Sequence, residues 1–434
     1  MNAPHRQVHP GEPSSPLTKN RGHLYYNVQD LLIDHGKGIY LYDQSGNEYI
    51  DCAAGTFNLV LGYSHKEVLE TVKHQADRLV HVTSSFQSGP VDEMVGRLID
   101  STPDNLTVIH PKVCSGSTAN EGAIKIAQHF TGNRDVITHF RSHLGQTMMM
   151  TSYSGNAFRK EPFPSLFPGG LQVPDPYCYR CFYKQTPETC NFLCVERLND
   201  FIDYASSGKV ACMVVEPISG NGGNIVPPAG YFQALKKLCD ERGIILIFDE
   251  IQTGMGRTGK MWAADTFGVK PHMMTISKGL GGTGFQVSAI ACEERLRGLD
   301  SHHHSFTYGS NVLAAAAAAK TLEIVHRPEF LANVTKVGAY FMERLLRMQE
   351  RFRFMGDVRG LGLMIGIEIV DKDGGPDVAL TNRICEAATS HGLLLRSSRY
   401  GYGNVFKIRP PLIITEDEAQ RACDRLEQCL GDVK

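Results

Sequence analysis

The chain has 434 residues, longer than one ordinary domain, and its 42% hydrophobic and 21% charged residues fit a globular protein with a sizeable core. Forty-four basic against forty-six acidic residues leave a net charge of −2, which removes any general electrostatic case for nucleic acid or an anionic membrane as partner. The longest uninterrupted apolar stretch, Val312 to Ala319, is far too short to span a bilayer.

The first sixteen residues, MNAPHRQVHPGEPSSP, have no apolar core of the signal-peptide kind and read as a flexible arm. Twelve cysteines without an export signal suggest reduced thiols and a cytoplasmic location. Gly38 to Asp51 reads as a hairpin turning at Ser45-Gly46-Asn47, and we expect it to join the C-terminal part of the fold. In the middle of the chain, Ala211–Val215, Ile244–Phe248, Met273–Ile276 and Val287–Ala291 are apolar runs too short for helices, and read as buried strands. Between the first two, Tyr231–Arg242 puts Tyr231, Leu235, Leu238 and Cys239 on one helical face. Strand, helix and strand in that order predict an α/β fold with a large, doubly wound, mostly parallel sheet. From Val312 the chain turns helix-rich, then returns to strands at Leu361–Ile369 and Val405–Ile408, as expected of a smaller α+β domain. The expected organisation is residues 1–64 as arm and hairpin packing with the small domain, 65–325 as the large domain, and 326–434 as the small one.

In open α/β sheets, ligands bind at the carboxyl ends of strands. Those ends carry Glu216, Asp249 and Lys278, charged residues that terminate apolar runs. Ser115-Gly116-Ser117-Thr118 opens a helical pattern, and free N–H groups at a helix start suit a phosphate, although an ordinary N-cap explains the same residues. Two G-x-G-x-x-G matches, at Gly254–Gly259 and Gly279–Gly284, do not follow the first strand and lack the spaced acidic residue of a dinucleotide site. A partly desolvated lysine amine can attack a carbonyl, and a buried carboxylate can hold a heterocyclic nitrogen protonated. Anion cradle, carboxylate and amine together are what pyridoxal 5'-phosphate requires.

The segments EPISGNGGNIVPPAGYF, IFDEIQTGMGRTGKMWAAD, ISKGLGG and FTYGSN, in that order, resemble the class III aminotransferases, pyridoxal phosphate enzymes of fold type I. The resemblance runs from about Gly38 to Leu430. It implies that Lys278 forms the imine with the cofactor and moves protons, that Asp249 pairs with the pyridine nitrogen, and that Gln252 reaches the ring hydroxyl. Gly116 and Ser117 would bind phosphate, Ile251 would pack on one ring face, and Thr307 would reach the neighbouring subunit's phosphate in a homodimer. His143 stands where relatives place a larger aromatic ring. Asn221 and Lys407 replace the glutamate and arginine that clamp α-carboxylates in many relatives, which weakens that clamp. An amine remote from a carboxylate is therefore expected, such as an amino sugar, aminocyclitol or diamine. The Gly55-Thr56-Phe57-Asn58 segment is similar to that of aminoglycoside-biosynthesis transaminases, which makes Phe57 a substrate candidate and antibiotic biosynthesis the expected setting. The partners implied are a small-molecule amine donor and a carbonyl acceptor; an epimerase or racemase of the same fold is the alternative outcome, and a non-catalytic pyridoxal phosphate-binding protein is the alternative from outside the class. Cys178, Cys181, Cys190 and Cys194 have a spacing that can fold around zinc but match no standard finger, and the His302-His303-His304 run reads as loop decoration; no metal is expected.

Overall fold

The computed structural model describes residues 31–398 and 402–433. The N-terminal arm lies outside them. The first described elements are β1 Ile33–Lys37, β2 Tyr40–Asp43 and β3 Glu48–Asp51, paired antiparallel in sequence. The turn between β2 and β3 is closed by Asp43 Oδ1, which accepts from the Ser45 and Asn47 N–H groups at 2.9 Å. Gly46 sits there at φ 83°, a conformation that a side chain disfavours.

A seven-stranded sheet forms the centre of the molecule. Its strands are β4 Val108–Val113, β5 Asp135–His139, β6 Gly170–Val173, β7 Val210–Val215, β8 Ile245–Asp249, β9 Met273–Ile276 and β10 Ser288–Cys292. The spatial order is β4-β10-β9-β8-β7-β5-β6. Five neighbouring strands run parallel, from β9 to β6, while β10 runs antiparallel to both β4 and β9. The sheet is thus mostly parallel, with one reversed strand that the apolar pattern alone does not distinguish. All six residues of β7 and all five of β8 are buried, because helices cover both faces. Tyr231–Arg242 forms the predicted crossover helix, ended by Gly243 in the left-handed region at φ 66°.

The alanine run lies in helix Val312–Val325, where the small side chains let it pack closely against helices Lys66–Ala76 and Gly89–Ser101. Beyond the long helix Pro328–Arg351, the Leu361–Ile369 stretch is two strands rather than one. β11 Met355–Leu361 and β12 Met364–Ile369 form a hairpin that turns at Gly362, φ 55°. Three strands follow, β13 Leu393–Leu394, β14 Arg396–Ser397 and β15 Val405–Ile408. β12, β15 and β14 continue the β11 sheet, whereas β13 pairs in parallel with β3 of the N-terminal hairpin.

Candidate active site

The parallel strands β7, β8 and β9 end side by side, and their ends carry Glu216, Asp249 and Lys278. Asp249 is 3% exposed. Its Oδ2 accepts from Asn120 Nδ2 at 2.7 Å, and its Oδ1 accepts from the Ile251 N–H at 3.0 Å. Asn120 is itself fixed, donating to Leu144 O and accepting from Thr275 Oγ1. Burial pushes the Asp249 carboxyl up to about 6, opposed by those hydrogen bonds and by the Lys278 charge. Glu216 accepts the His143 and Gly220 N–H groups at 3.0 Å each, and burial together with the Asp249 charge pushes it up to about 8.

Lys278 follows β9 with φ 40°, an uncommon conformation for a residue with a side chain, and opens a short 3-10 turn. Burial lowers its amine to about 8, and Arg409 acts in the same direction against Asp249 and Glu216. Near neutral pH a useful fraction is therefore the uncharged, nucleophilic form. Burial, with the Lys278 and Arg159 charges, lowers His143 to about 3, so its imidazole is neutral in the working range.

Helix Gly116–Thr131 starts at the same edge of the sheet. Ser115 caps it, accepting from the Thr118 N–H in a reciprocal capping box. The cap uses Thr118 and leaves the Gly116 and Ser117 N–H groups at the positive end of the helix, so the cap does not exclude an anion there. A Cβ on Gly116 would lie 2.9 Å from Ile251 Cδ1, so only glycine fits between the helix start and that side chain. Gln252 Oε1 accepts from Arg409 Nη1.

Phe57 is held by the preceding turn. Asp51 accepts from the Ala53 and Gly55 N–H groups and from Tyr63 Oη, and Ala54, Gly55 and Phe57 all have positive φ. The Arg409 guanidinium carbon lies 3.2 Å from the Phe57 ring centroid, and Lys407 Nζ lies 5.2 Å from it. Asn221 is half-buried, and its backbone carbonyl accepts from Ser398 Oγ. Thr307 stands apart from this cluster, exposed on a turn that packs on β4 through Ser310 N and Pro111 O.

A sequence model of the family described as aminotransferase class-III matches residues 23–430. The chain belongs to the class III aminotransferases. It is 35% identical to an alanine/serine racemase from Pyrococcus horikoshii, over 93% of this chain and 86% of that one. It is 33% identical to an acetylornithine aminotransferase from Methanothermobacter thermautotrophicus, over 94% and 96%. Among solved structures, an amine transaminase from an uncultivated Pseudomonas species, in its pyridoxal phosphate-bound form, matches over 100% of both chains with a TM-score of 0.87 and 28% identity. This class III aminotransferase has the fold of the type I enzymes and depends on pyridoxal 5'-phosphate. Its own geometry fits that cofactor: a buried carboxylate, an amine at the next strand end, and free amides at a helix start.

Three residues of this cluster were not singled out for a role by sequence reading. Asn120 lies two residues past the Ser115-Gly116-Ser117-Thr118 helix start and carries no signal of its own. Glu216 was legible as a charged strand end. Arg409 was legible as an arginine in the apolar stretch FKIRPPL, two residues beyond the position occupied by Lys407. The two glycine-rich matches are turns: a Cβ on Gly256 or Gly259 would approach the helix Pro328–Arg351 at Leu331 or Thr335, and one on Gly282 would meet Thr321 Oγ1 at 2.2 Å. Of the histidine run, His304 docks on helix Gly116–Thr131, its Nε2 2.7 Å from Thr118 O. The four spaced cysteines, all half-buried, line one small cavity. Among the described residues no group of three His, Cys, Asp or Glu side chains is arranged to hold a metal ion, and no helix is long and apolar enough to cross a membrane.

Proposed function

We propose that the enzyme moves an amino group between an amine donor and a carbonyl acceptor in two half-reactions, with Lys278 and Asp249 as the catalytic residues. The observation that carries this reading is the pairing of a buried carboxylate on β8 with a depressed lysine amine just past β9. The bound cofactor supplies an electron sink for the bond broken at the amine-bearing carbon. Lys278, neutral in part near pH 8, takes the proton from that carbon and returns it elsewhere, acting as both base and acid. Asp249, oriented by Asn120 and the Ile251 N–H, holds a proton on the pyridine nitrogen. The Gly116 and Ser117 amides hold the phosphate, Gln252 the ring hydroxyl, and Ile251 and His143 enclose the ring from its two faces. Thr307, exposed on its turn, reaches the phosphate of a second copy in a homodimer.

The amine substrate in this reading has no carboxylate on the reacting carbon, as in an amino sugar, aminocyclitol or diamine. Support comes from Asn221 and Lys407, which together cannot form the switchable glutamate–arginine pair. A racemase or epimerase is the second reading, favoured by the alanine/serine racemase at 35% identity. The two differ in where Lys278 returns the proton. A screen of amines against pyruvate and 2-oxoglutarate, scored by carbonyl product from the amine, tests the proposal. Transfer to at least one acceptor is expected. Inversion of a chiral amine with solvent deuterium at the reacting carbon, and no carbonyl product, would establish the racemase.

A further inference from the structure

Residues 174–194, which leave the edge strand β6, carry four thiols that the chemistry at Lys278 does not use. Two cavities meet there. One, of about 700 Å3, opens to solvent past the exposed Phe182 and Lys184, and Cys178 and Cys181 line it. The other, of about 20 Å3, is bordered by Cys190 and Cys194 together with Cys178 and Cys181. Of the four, only Cys178 and Cys181 border both, so they are the pair that a molecule entering the open cavity meets.

Cys178–Arg180 is a single 3-10 turn. Such a turn rises about 2 Å per residue and sets side chains i and i+3 over one another. The Cα atoms of Cys178 and Cys181 are therefore about 6 Å apart, within the span that a disulfide bridges. Burial first, and then the Cys190, Cys178 and Cys181 charges, push Cys194 up to about 12, which keeps it protonated and out of exchange. Cys178 is raised too, by burial first and then by the Cys181 and Cys190 charges, so its exchange quickens in alkaline solution. Tyr183 borders the small cavity, and its hydroxyl is buried without a hydrogen-bond partner among the described residues. That hydroxyl is a donor available to a thiolate as it forms.

The turn also holds parts of the fold together. Tyr177 Oη and Arg180 Nε both donate to Glu368, fully buried on β12, and Arg180 Nη2 donates to Gly374 O at 3.2 Å. Arg359 Nη1 donates to the same carboxylate at 2.9 Å, while its Nε and Nη2 hold Gly223 O, two residues from Asn221. On the other side, Asp175 accepts at 2.7 Å from Nη1 of Arg141, two residues before His143. Residues 178–181 thus lie within the link between the edge of the seven-stranded sheet and the β11–β12 hairpin.

We propose that Cys178 and Cys181 are a redox-active dithiol whose disulfide staples this link. The oxidant is a small disulfide of the glutathione type. One cysteine thiolate attacks a sulfur of oxidised glutathione and expels one glutathione thiolate; the other cysteine thiolate then attacks the mixed disulfide and expels the second. The cysteines give up two protons and two electrons, and two reduced glutathione molecules result. Disulfides of this kind in reducing surroundings are transient and redox-sensing, and excess reduced glutathione reverses this one.

The test equilibrates cofactor-loaded enzyme with graded ratios of oxidised to reduced glutathione, blocks free thiols by alkylation and digests with trypsin without reduction. Trypsin cuts after Arg180, between the two cysteines, so the disulfide shows as two peptides that remain joined. The joined pair is expected before any other cysteine is oxidised. Amide exchange in residues 368–375 should be about threefold slower in oxidised than in reduced wild type, as the staple suppresses local opening. Cys181→Ser should show neither effect. Arg180→Gln, in which the disulfide appears as one uncut peptide lighter by two hydrogens, should oxidise without slowing exchange at 368–375. Retained visible absorption of the bound cofactor shows that each variant is folded, and where Cys181→Ser loses it, Cys178→Ser decides. A first disulfide that includes Cys190 or Cys194, or a glutathione adduct that never resolves, overturns the proposal. So does equal exchange in oxidised and reduced wild type, or a bound metal ion that a chelator must strip before the thiols react.

Discussion

Asn120 Nδ2 donates to Asp249 Oδ2 at 2.7 Å, joining the second turn of helix Gly116–Thr131 to the end of β8. The same amide accepts from Thr275 on β9, the strand that leads to Lys278. One side chain therefore ties together the helix start, the carboxylate strand and the lysine strand. Asn120→Ala should weaken cofactor affinity about tenfold, about 1.4 kcal/mol for one charge-assisted hydrogen bond. It should also raise the pKa that governs the visible spectrum, since the removed bond favours the ionised form of Asp249. Cofactor titration at several pH values checks both, and an unchanged spectral pKa would show that Asn120 only fills space.

Glu216 gives a pH prediction for the cofactor-free protein. Its folded pKa, about 8, lies above the ordinary 4.5, because of burial first and the Asp249 charge second. Its proton is held more tightly in the folded state, so its stabilising contribution is complete below about pH 4.5 and is lost as pH rises toward 8. Glu216→Gln removes this dependence. Relative to wild type, the variant should gain stability between pH 5.5 and pH 8.5, measured by urea unfolding, whatever fixed cost the amide brings at Gly220. A stability difference that is the same at both pH values would contradict the shift.

Lys407 lies 2% exposed, and burial, Arg409 and Arg396 lower its pKa well below the ordinary lysine value, so it takes up its charge when an anion sits beside it. Lys407→Ala should raise the KM for an acidic co-substrate about tenfold, and by more than the KM for an uncharged amine. Lys407→Arg with Asn221→Glu should shift preference toward α-amino acids. Equal changes for acidic and uncharged substrates in Lys407→Ala would mean that the residue shapes the pocket rather than reads charge.

If Thr307 completes the phosphate site of a second copy, dilution that separates the copies should release cofactor, because a lost anion contact lowers affinity. Sedimentation combined with cofactor absorbance follows both at once. A monomer that holds its cofactor as tightly as the dimer would remove Thr307 from the site.

Much of this arrangement was legible in the sequence, for physical reasons that differ from residue to residue. Strands β7, β8 and β9 are buried on both faces, so they stand out as apolar runs, and Asp249 and Lys278 stand out by ending them. The hairpin at Asp43–Asn47 is local and announces itself by turn chemistry. The pairing of β3 with β13 joins residues more than 340 positions apart, and no periodicity encodes it. β10 has the same apolar signature as its neighbours, so its reversed direction was invisible. Arg409 illustrates the remaining limit. It meets Gln252 and the Phe57 ring, residues far from it in the chain, and no local pattern encodes those contacts.

The most direct measurement is a half-reaction without acceptor, in which cofactor-loaded enzyme is mixed with a donor amine and followed by absorbance and product analysis. One carbonyl product and one aminated cofactor per active site are predicted for the wild type, and neither for Lys278→Ala, which should also lack the wild-type visible absorption. An amine that loses its chirality while the wild-type cofactor spectrum recovers and no carbonyl product forms would contradict the account.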